Sequence, residues 1–199
     1  MFLREPPRDE DLAALYARDV AEDGYVANLT CLWGWRPDVF EAFTDLRTLL
    51  AERTALSAGE RALLVCAATA TLGDSYCALT FGTRLADATD PLTAAAVLRR
   101  EDAPGLTARD KALAAWAAKI VRAPSATTAA DVDRLRAAGL SEREIFDATV
   151  LVAFRIAFST VNDALGAQPD AQLAAAAPPP VREAVTFGRP AAEKPSRKP

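Results

Sequence analysis

The 199-residue sequence contains no histidine. A Ser-His-Asp triad, a Cys-His pair, a histidine general base and a histidine-ligated metal are therefore impossible within this chain. Its three cysteines, Cys31, Cys66 and Cys77, form neither a CxxC motif nor the paired spacing of a zinc site. No run of clustered acidic residues indicates a metal site either. The sequence therefore predicts neither a metal nor another cofactor.

Basic charge and long hydrophobic runs are also scarce. The net charge of -4 and the pI near 5.0 favour neither nucleic acid nor an anionic membrane surface as a partner. The most hydrophobic run, ATVLVAFRIAF, is broken by Arg155 well before the roughly 18 apolar residues that a membrane span needs. The start, MFLREPPRDEDL, lacks the apolar stretch of a secretory signal, so we expect a cytoplasmic protein.

Hydrophobic residues, 51% of the chain, recur at spacings of three and four nearly throughout, with few alternating runs. This pattern predicts an all-α bundle of about eight helices. The predicted helices run from about 9 to 22, 38 to 50, 58 to 72, 74 to 86, 90 to 101, 107 to 122, 127 to 138 and 141 to 165. The segment DGYVANLTCLWGWRP between the first two is predicted to be a loop.

Two capping boxes, Ser57 with Glu60 and Ser141 with Glu144, define the starts of the third and eighth helices. The eighth helix is apolar on most of its circumference and is the predicted central helix. We expect a single helical domain over residues 1–166. Residues 167–199 form an extension rich in alanine and proline, with one helical turn near 181–185 and a flexible end.

The stretch LGDSYCALTFG, residues 72–82, places a lone cysteine at a predicted helix start. The helix N-terminus favours a thiolate on Cys77, but the carboxylate of Asp74 one turn away opposes it. Cys77 is therefore either a reactive or ligand-facing thiol, or a small buried residue. The pattern around Cys66 is that of an inert core residue. The segment NLTCLWGW, which holds Cys31, either lines a pocket or covers the core.

A polar stripe interrupts the apolar eighth helix, because Arg155, Ser159 and Asn162 fall at i, i+4 and i+7. A buried arginine requires a partner, since an unpaired buried charge is costly. The candidate partners are Asp74, Asp147 and Asp163. The stripe is either a structural salt bridge or subunit contact, or it anchors an anionic or carbonyl oxygen of a small ligand.

Four segments together resemble a known superfamily in their order and spacing, over residues 24–166. They are GYVANL, RPDVFEAF, LSAGERALLVCAATATLGDSYCALTFG and DVDRLRAAGLSEREIFDATVLVAF. The chain resembles the alkylhydroperoxidase D (AhpD) and carboxymuconolactone decarboxylase superfamily, in particular its peroxidase-related branch. The resemblance implies an AhpD-like helical bundle that assembles as a homo-oligomer: a dimer, a trimer or a hexamer.

Redox members of that superfamily carry CxxC, a histidine four residues later and a glutamate on the preceding helix. Alignment with that pattern puts Asp74 and Cys77 at the two cysteines, Phe81 at the histidine and Ala62 at the glutamate. Peroxide reduction by two cysteines needs a second thiol to resolve the sulfenic acid as a disulfide. Asp74 cannot do this, so the resemblance implies the fold without the two-cysteine chemistry.

What remains is a protein that acts on or binds a small organic molecule without a redox cofactor. The candidate catalytic residues are Cys77, Tyr76 and Asp74, with Asp74 as proton acceptor. The candidate substrate-binding residues are Arg155, Ser159, Asn162, Phe81 and Trp33. Two alternatives stay open: a one-cysteine thiol peroxidase that uses Cys77, and a non-catalytic oligomeric binding protein.

Overall fold

The computed structural model describes residues 1–195, and within them the chain is all α, with eleven α-helices and one 3₁₀ turn at Pro124–Ala126. The α-helices are α1 Glu10–Asp23, α2 Asn28–Trp33, α3 Pro37–Glu52, α4 Ala58–Leu72, α5 Ser75–Ala88, α6 Pro91–Arg99, α7 Ala108–Arg122, α8 Ala129–Ala137, α9 Glu142–Ala164, α10 Ala171–Ala176 and α11 Pro179–Ala184. The predicted all-α class is confirmed. No helix of these residues is long and apolar enough to cross a membrane.

Helices α1 and α3–α9 correspond to the eight helices that the sequence predicts. The prediction of a loop before α3 is wrong, because this segment contains α2. That helix is only six residues long and has no side-chain N-cap, so it leaves neither a periodic pattern nor a capping signal in the sequence. It is stabilised by tertiary packing, since Thr30, Leu32 and Trp33 are buried.

The predicted capping boxes form, and they meet at one end of the bundle. Ser57 and Ser141 each accept a hydrogen bond from the N–H three residues on, and Glu60 and Glu144 bond back to the cap backbone. Arg109, in the first turn of α7, donates to both glutamates, at 2.5 Å to Glu60 and 2.6 Å to Glu144. The starts of α4, α7 and α9 are thereby tied together.

The central helix of the bundle is α4. Its residues 62–70 are buried in unbroken succession, and it packs against α5, α6, α7 and α9. The prediction that the eighth helix, α9, is central is wrong. That helix buries one stripe and leaves Phe146 68% and Phe154 36% exposed. Small alanines let four neighbours approach α4 closely, which its hydrophobic pattern alone does not reveal.

The C-terminal extension packs back onto the bundle through α11, which covers the predicted helical turn. Val181 of α11 is fully buried at Gly82 of α5 and Leu98 of α6. A domain boundary at residue 166 stays a prediction. The predicted flexible end falls partly on residues 196–199, which lie outside the described residues.

Candidate functional site

The junction of α4 and α5 positions an aspartate inside the bundle. Gly73 ends α4 in the left-handed conformation, with φ +87°, and the extended Asp74 begins α5 as its N-cap. Asp74 is 0% exposed, and its Oδ1 accepts the N–H of Cys77 at 3.0 Å. Its other oxygen, Oδ2, is buried and has no hydrogen-bond partner in the described chain. This carboxylate therefore caps the helix with one oxygen and leaves the second available.

Cys77 lies in the first turn of α5, between the acidic residue Asp74 and the basic residue Arg155. Its side chain is 3% exposed, and Nη1 of Arg155 donates to its Sγ at 3.3 Å. Burial raises the pKa of Cys77 to about 12, Arg155 opposes this rise, and Asp74 adds to it. At neutral pH Cys77 is consequently a protonated thiol beside a guanidinium.

Arg155 itself is 5% exposed and packs against aromatic faces. Its guanidinium carbon lies 4.7 Å from the ring centroid of Phe81 and 5.3 Å from that of Phe158. Among the described residues, no carboxylate oxygen lies within 4.0 Å of it, so the predicted salt bridge is wrong for all three candidates, Asp74, Asp147 and Asp163. Its Nε is buried without a partner in the same residues. Within the described part of the chain, Arg155 is thus a buried cation that contacts a thiol and two aromatic faces.

Two further arginines, which the sequence analysis missed, approach the same place. The guanidinium carbon of Arg84 lies 4.8 Å from the centroid of Phe81. Desolvation and then the charges of Arg155 and Arg84 lower the pKa of Arg47. Neither Arg47 nor Arg84 forms an ion pair within residues 1–195. The only sequence feature that could have indicated Arg84 is its position seven residues after Cys77 on the same helix. No sequence feature indicated Arg47, which lies on α3.

Buried polar atoms without a partner concentrate here. Residues 1–195 contain six such side-chain atoms, and four belong to this region: Asp74 Oδ2, Arg155 Nε, Ser159 Oγ and Asn162 Nδ2. The helical spacing of Arg155, Ser159 and Asn162 does place all three in the buried stripe of α9, as predicted. Because buried polar groups are almost always hydrogen-bonded, such a concentration is typical of a place where water or a ligand binds. We call Asp74, Cys77, Arg155, Ser159 and Asn162 the polar cluster.

Trp33 connects the polar cluster to an aromatic wall. Its Nε1 donates to Oδ1 of Asn162 at 2.8 Å. Its ring stacks on Phe158 with a centroid distance of 5.1 Å and lies 5.6 Å from Phe40. Trp33 therefore orients Asn162 and encloses the cluster on the side of α2 and α3.

The structure does not bring Tyr76 into the polar cluster. Its hydroxyl donates to Oδ2 of Asp170, and burial, followed by the charge of that aspartate, raises its pKa well above the usual value. Tyr76 packs with Leu32 and Ala167, whereas Cys77 packs in the group with Trp33. Successive helical residues point about 100° apart, which accounts for this divergence. A catalytic role for Tyr76 stays a prediction.

The polar cluster has little open space beside it. A crevice of about 10 Å³ lies next to Arg155 between Phe43, Arg47 and Phe154, which is room for about one water molecule. A larger cavity, of about 470 Å³, lies elsewhere, between α1, α2 and the described end of the C-terminal extension. Cys31 lines that cavity, whereas Cys66 is 0% exposed in the core, as its pattern predicted.

No group of three or more cysteine, aspartate and glutamate residues in the described part of the chain could hold a metal ion. In sequence, neither a family model nor a curated protein matches the chain.

Solved structures do match. The crystal structure of an AhpD core, a peroxidase-related protein from Ralstonia eutropha JMP134, matches 86% of this chain and 93% of its own, with a TM-score of 0.74 and 24% identity. This chain has the AhpD-like fold. A peroxidase-related protein from Silicibacter sp. TM1040 matches over the same shares with a TM-score of 0.76 and 23% identity. The predicted resemblance is confirmed at the level of the AhpD-like fold.

A debrominase also matches this chain in structure. The debrominase Bmp8 matches 93% of this chain and 98% of its own, with a TM-score of 0.73 and 16% identity. A cysteine-to-alanine variant of Bmp8 has been solved in complex with 2,3,4-tribromopyrrole, and it matches with a TM-score of 0.71 and 18% identity. At these identities the matches establish the AhpD-like fold of this chain and leave its reaction to be argued from its own residues.

Proposed function

We propose that this AhpD-like chain, which lacks the CxxC-His motif, is a cofactor-free enzyme that binds a small organic anion at the polar cluster. Arg155 anchors an oxygen of the ligand and Asp74 accepts a proton from it. The observation that carries this proposal is a buried guanidinium with no carboxylate partner in residues 1–195, close to a buried carboxylate oxygen that also lacks a partner.

The binding step follows from charge. A carboxylate or enolate oxygen that accepts from Nε of Arg155 forms a charge-assisted hydrogen bond and supplies the missing negative partner. Arg47 and Arg84 increase the positive potential in the same region. Because the crevice holds about one water molecule, an organic ligand enters only when the exposed Phe154 and the Arg47 side chain rotate outward.

The chemical step follows from two atoms that have no hydrogen-bond partner in the described residues, Oδ2 of Asp74 and Nε of Arg155. Oδ2 of Asp74 takes a proton from a carbon next to the ligand's carbonyl or carboxylate, and Arg155 stabilises the charge that develops on the oxygen. The thiol of Cys77, protonated at neutral pH, contacts both residues and is a hydrogen-bond donor to the same oxygen. Asp74 then returns the proton, so no oxidant or reductant is consumed.

The comparison with Bmp8 supports a small-molecule site in this fold, because a variant of that protein binds 2,3,4-tribromopyrrole. The arginines of this chain, Arg155, Arg47 and Arg84, favour an anionic member of that ligand class, small organic molecules.

A thermal-shift screen tests the binding step. We expect small carboxylic acids to raise the melting temperature by a few degrees at about ten times Kd, and their amides to raise it less. Arg155→Gln is expected to abolish the difference, whereas Arg122→Gln, at the end of α7 and away from the polar cluster, is expected to keep it. Equal shifts for acids and amides in the wild type contradict an anion site.

A second candidate function is a one-cysteine thiol peroxidase that uses Cys77 and an external thiol. The 3.3 Å contact from Arg155 favours it, because a guanidinium stabilises the thiolate that attacks a peroxide. The burial that raises the pKa of Cys77 disfavours it. Peroxide consumption with dithiothreitol, lost in Cys77→Ser and retained in Cys66→Ser, would establish this second function.

We further propose that the chain forms a homo-oligomer, a dimer, trimer or hexamer. Large apolar side chains on α3 and α9, Leu49, Phe146 and Phe154, are exposed to solvent in the single chain. Light scattering coupled to gel filtration gives the number of subunits, and a monomer at micromolar concentration would contradict the proposal.

A further inference from the structure

A segment of the C-terminal extension runs across the start of α5. We call residues 186–192 the C-terminal strap. The hydroxyl of Ser75 donates to the carbonyl of Arg189 at 2.7 Å, and the N–H of Ala192 donates to the carbonyl of Pro169 at 2.8 Å. Because Ser75 follows Asp74 directly, the strap is bonded to the turn that carries the proposed proton acceptor.

The strap approaches that turn through a glycine. Gly188 has φ +72°, and a Cβ atom there would lie 2.4 Å from the carbonyl oxygen of Gly73 and 2.8 Å from the backbone nitrogen of Ser75. Both neighbours are backbone atoms, which cannot move aside as a side chain can. A left-handed conformation and close approach of this kind require glycine. The strap therefore packs directly on the backbone that holds Asp74.

Arg189, the next residue, joins the strap to α9 and to the N-terminal segment. Its Nη2 donates to the carbonyl of Asp163 at 2.9 Å, and its guanidinium carbon lies 4.7 Å from the ring centroid of Phe2. Its Nε is buried without a partner in the described residues. Arg189 thus contacts three separate parts of the chain.

Arg189 also lies near Asp163, which in turn lies near Asp74. Burial and then the charge of Asp74 raise the pKa of Asp163 to about 6, and the charge of Arg189 opposes that rise. Asp74 and Arg189 are the charged groups that act on Asp163. The Arg189 guanidinium therefore favours the ionised form of Asp163.

We propose that Arg189 is a positioning residue for the polar cluster: it fixes the C-terminal strap over the start of α5 and balances the charge of Asp163. The inference rests on the proposed function, since the turn that it positions carries the proposed proton acceptor. Without Arg189 the strap loses its bond to Asp163 and its contact with Phe2, and the cap of α5 becomes less protected.

Two measurements on Arg189→Gln test this role without any substrate. The first is hydrogen exchange at the Cys77 amide, which reports the cap because that N–H bonds to Asp74. The second is the NMR titration of the Asp163 carboxyl. We expect amide exchange about tenfold faster, and a titration midpoint above that of the wild type, since the opposing positive charge is gone.

Arg189→Lys is expected to bring the Asp163 midpoint back toward the wild-type value, because it restores the charge. Arg182→Gln, an exposed arginine on α11, removes the same charge next to the strap and is expected to change neither measurement. Gly188→Ala, which displaces the strap sterically, is expected to speed Cys77 amide exchange as Arg189→Gln does.

Unchanged exchange and an unchanged Asp163 titration in Arg189→Gln would overturn the positioning role. Neither readout depends on turnover or on ligand binding. A wild type that binds no acid would therefore contradict the proposed function alone, and a strap without influence on Asp74 would contradict this inference alone.

Discussion

At the scale of single residues, a carboxylate, a thiol and a guanidinium lie buried around the first turn of α5. Burial raises the pKa of Cys77 to about 12. A thiol with that pKa is a poor nucleophile at neutral pH but a usable hydrogen-bond donor. Oδ2 of Asp74, which has no hydrogen-bond partner in residues 1–195, is therefore the stronger candidate for the group that reacts with a ligand.

Asp163 makes the stability of the fold depend on pH. Its pKa is about 6 in the folded chain and 3.8 ordinarily, so the folded state binds more protons between these values. Stability therefore falls as the pH rises from about 4 through about 6. We expect Asp163→Asn to gain about 1–2 kcal/mol relative to the wild type over that interval, a figure reduced for partial exposure. Urea unfolding at a series of pH values measures it.

The matched control for this prediction is Asp45→Asn, because Asp45 is exposed and has no ion pair in residues 1–195. It should leave the pH dependence of stability unchanged. An identical pH dependence in Asp163→Asn and the wild type would contradict the proposed coupling of Asp163 to its buried neighbours.

At the scale of helices, residue spacing and capping patterns predicted which residues share a helix face, but not which helices pack together. The i, i+4, i+7 pattern correctly placed Arg155, Ser159 and Asn162 together, because a regular helix fixes which residues share a face. The same pattern could not show that Arg47 on α3 and Arg84 on α5 lie near Arg155, since those contacts depend on how helices pack. It also could not show that Arg155 would have no carboxylate partner among residues 1–195.

Gly82 tests the packing of the C-terminal extension on the bundle. A Cβ atom there would lie 2.7 Å from Cγ1 of Val181 and 2.9 Å from Cδ1 of Leu98. We expect Gly82→Ala to lower the free energy of unfolding by about 1–3 kcal/mol through overpacking, a loss only partly offset by the roughly 1 kcal/mol better helix propensity of alanine. Urea denaturation measures the change.

The compensating variant, Gly82→Ala combined with Val181→Ala, removes the nearer overlapping methyl group, Cγ1 of Val181, and should be less destabilised than the sum of the two single variants. A single Gly82→Ala variant as stable as the wild type would mean that α11 does not pack against α5 as described.

At the scale of the whole molecule, the fold was predictable because helical spacing and capping patterns run through most of the sequence. Solved structures at 16–24% identity match this chain with TM-scores of 0.73–0.76. Which residues would form a site was less predictable. Tyr76 is only two residues from Asp74 in sequence, yet its hydroxyl bonds to Asp170, outside the polar cluster. Conversely, Gly188 and Arg189 of the strap contact the turn at Asp74 although they are more than one hundred residues away from it in sequence.

The central claim is that Asp74 accepts a proton from an anion held by Arg155. Deuterium exchange in D₂O, followed by NMR on the carbon acids that bind in the thermal-shift screen, tests it most directly. We expect exchange above the buffer rate with the wild type, reduced about 10²-fold or more in Asp74→Asn and unchanged in Asp45→Asn. Binding without exchange, or the same exchange in Asp74→Asn, would contradict the claim and favour a binding protein without catalysis.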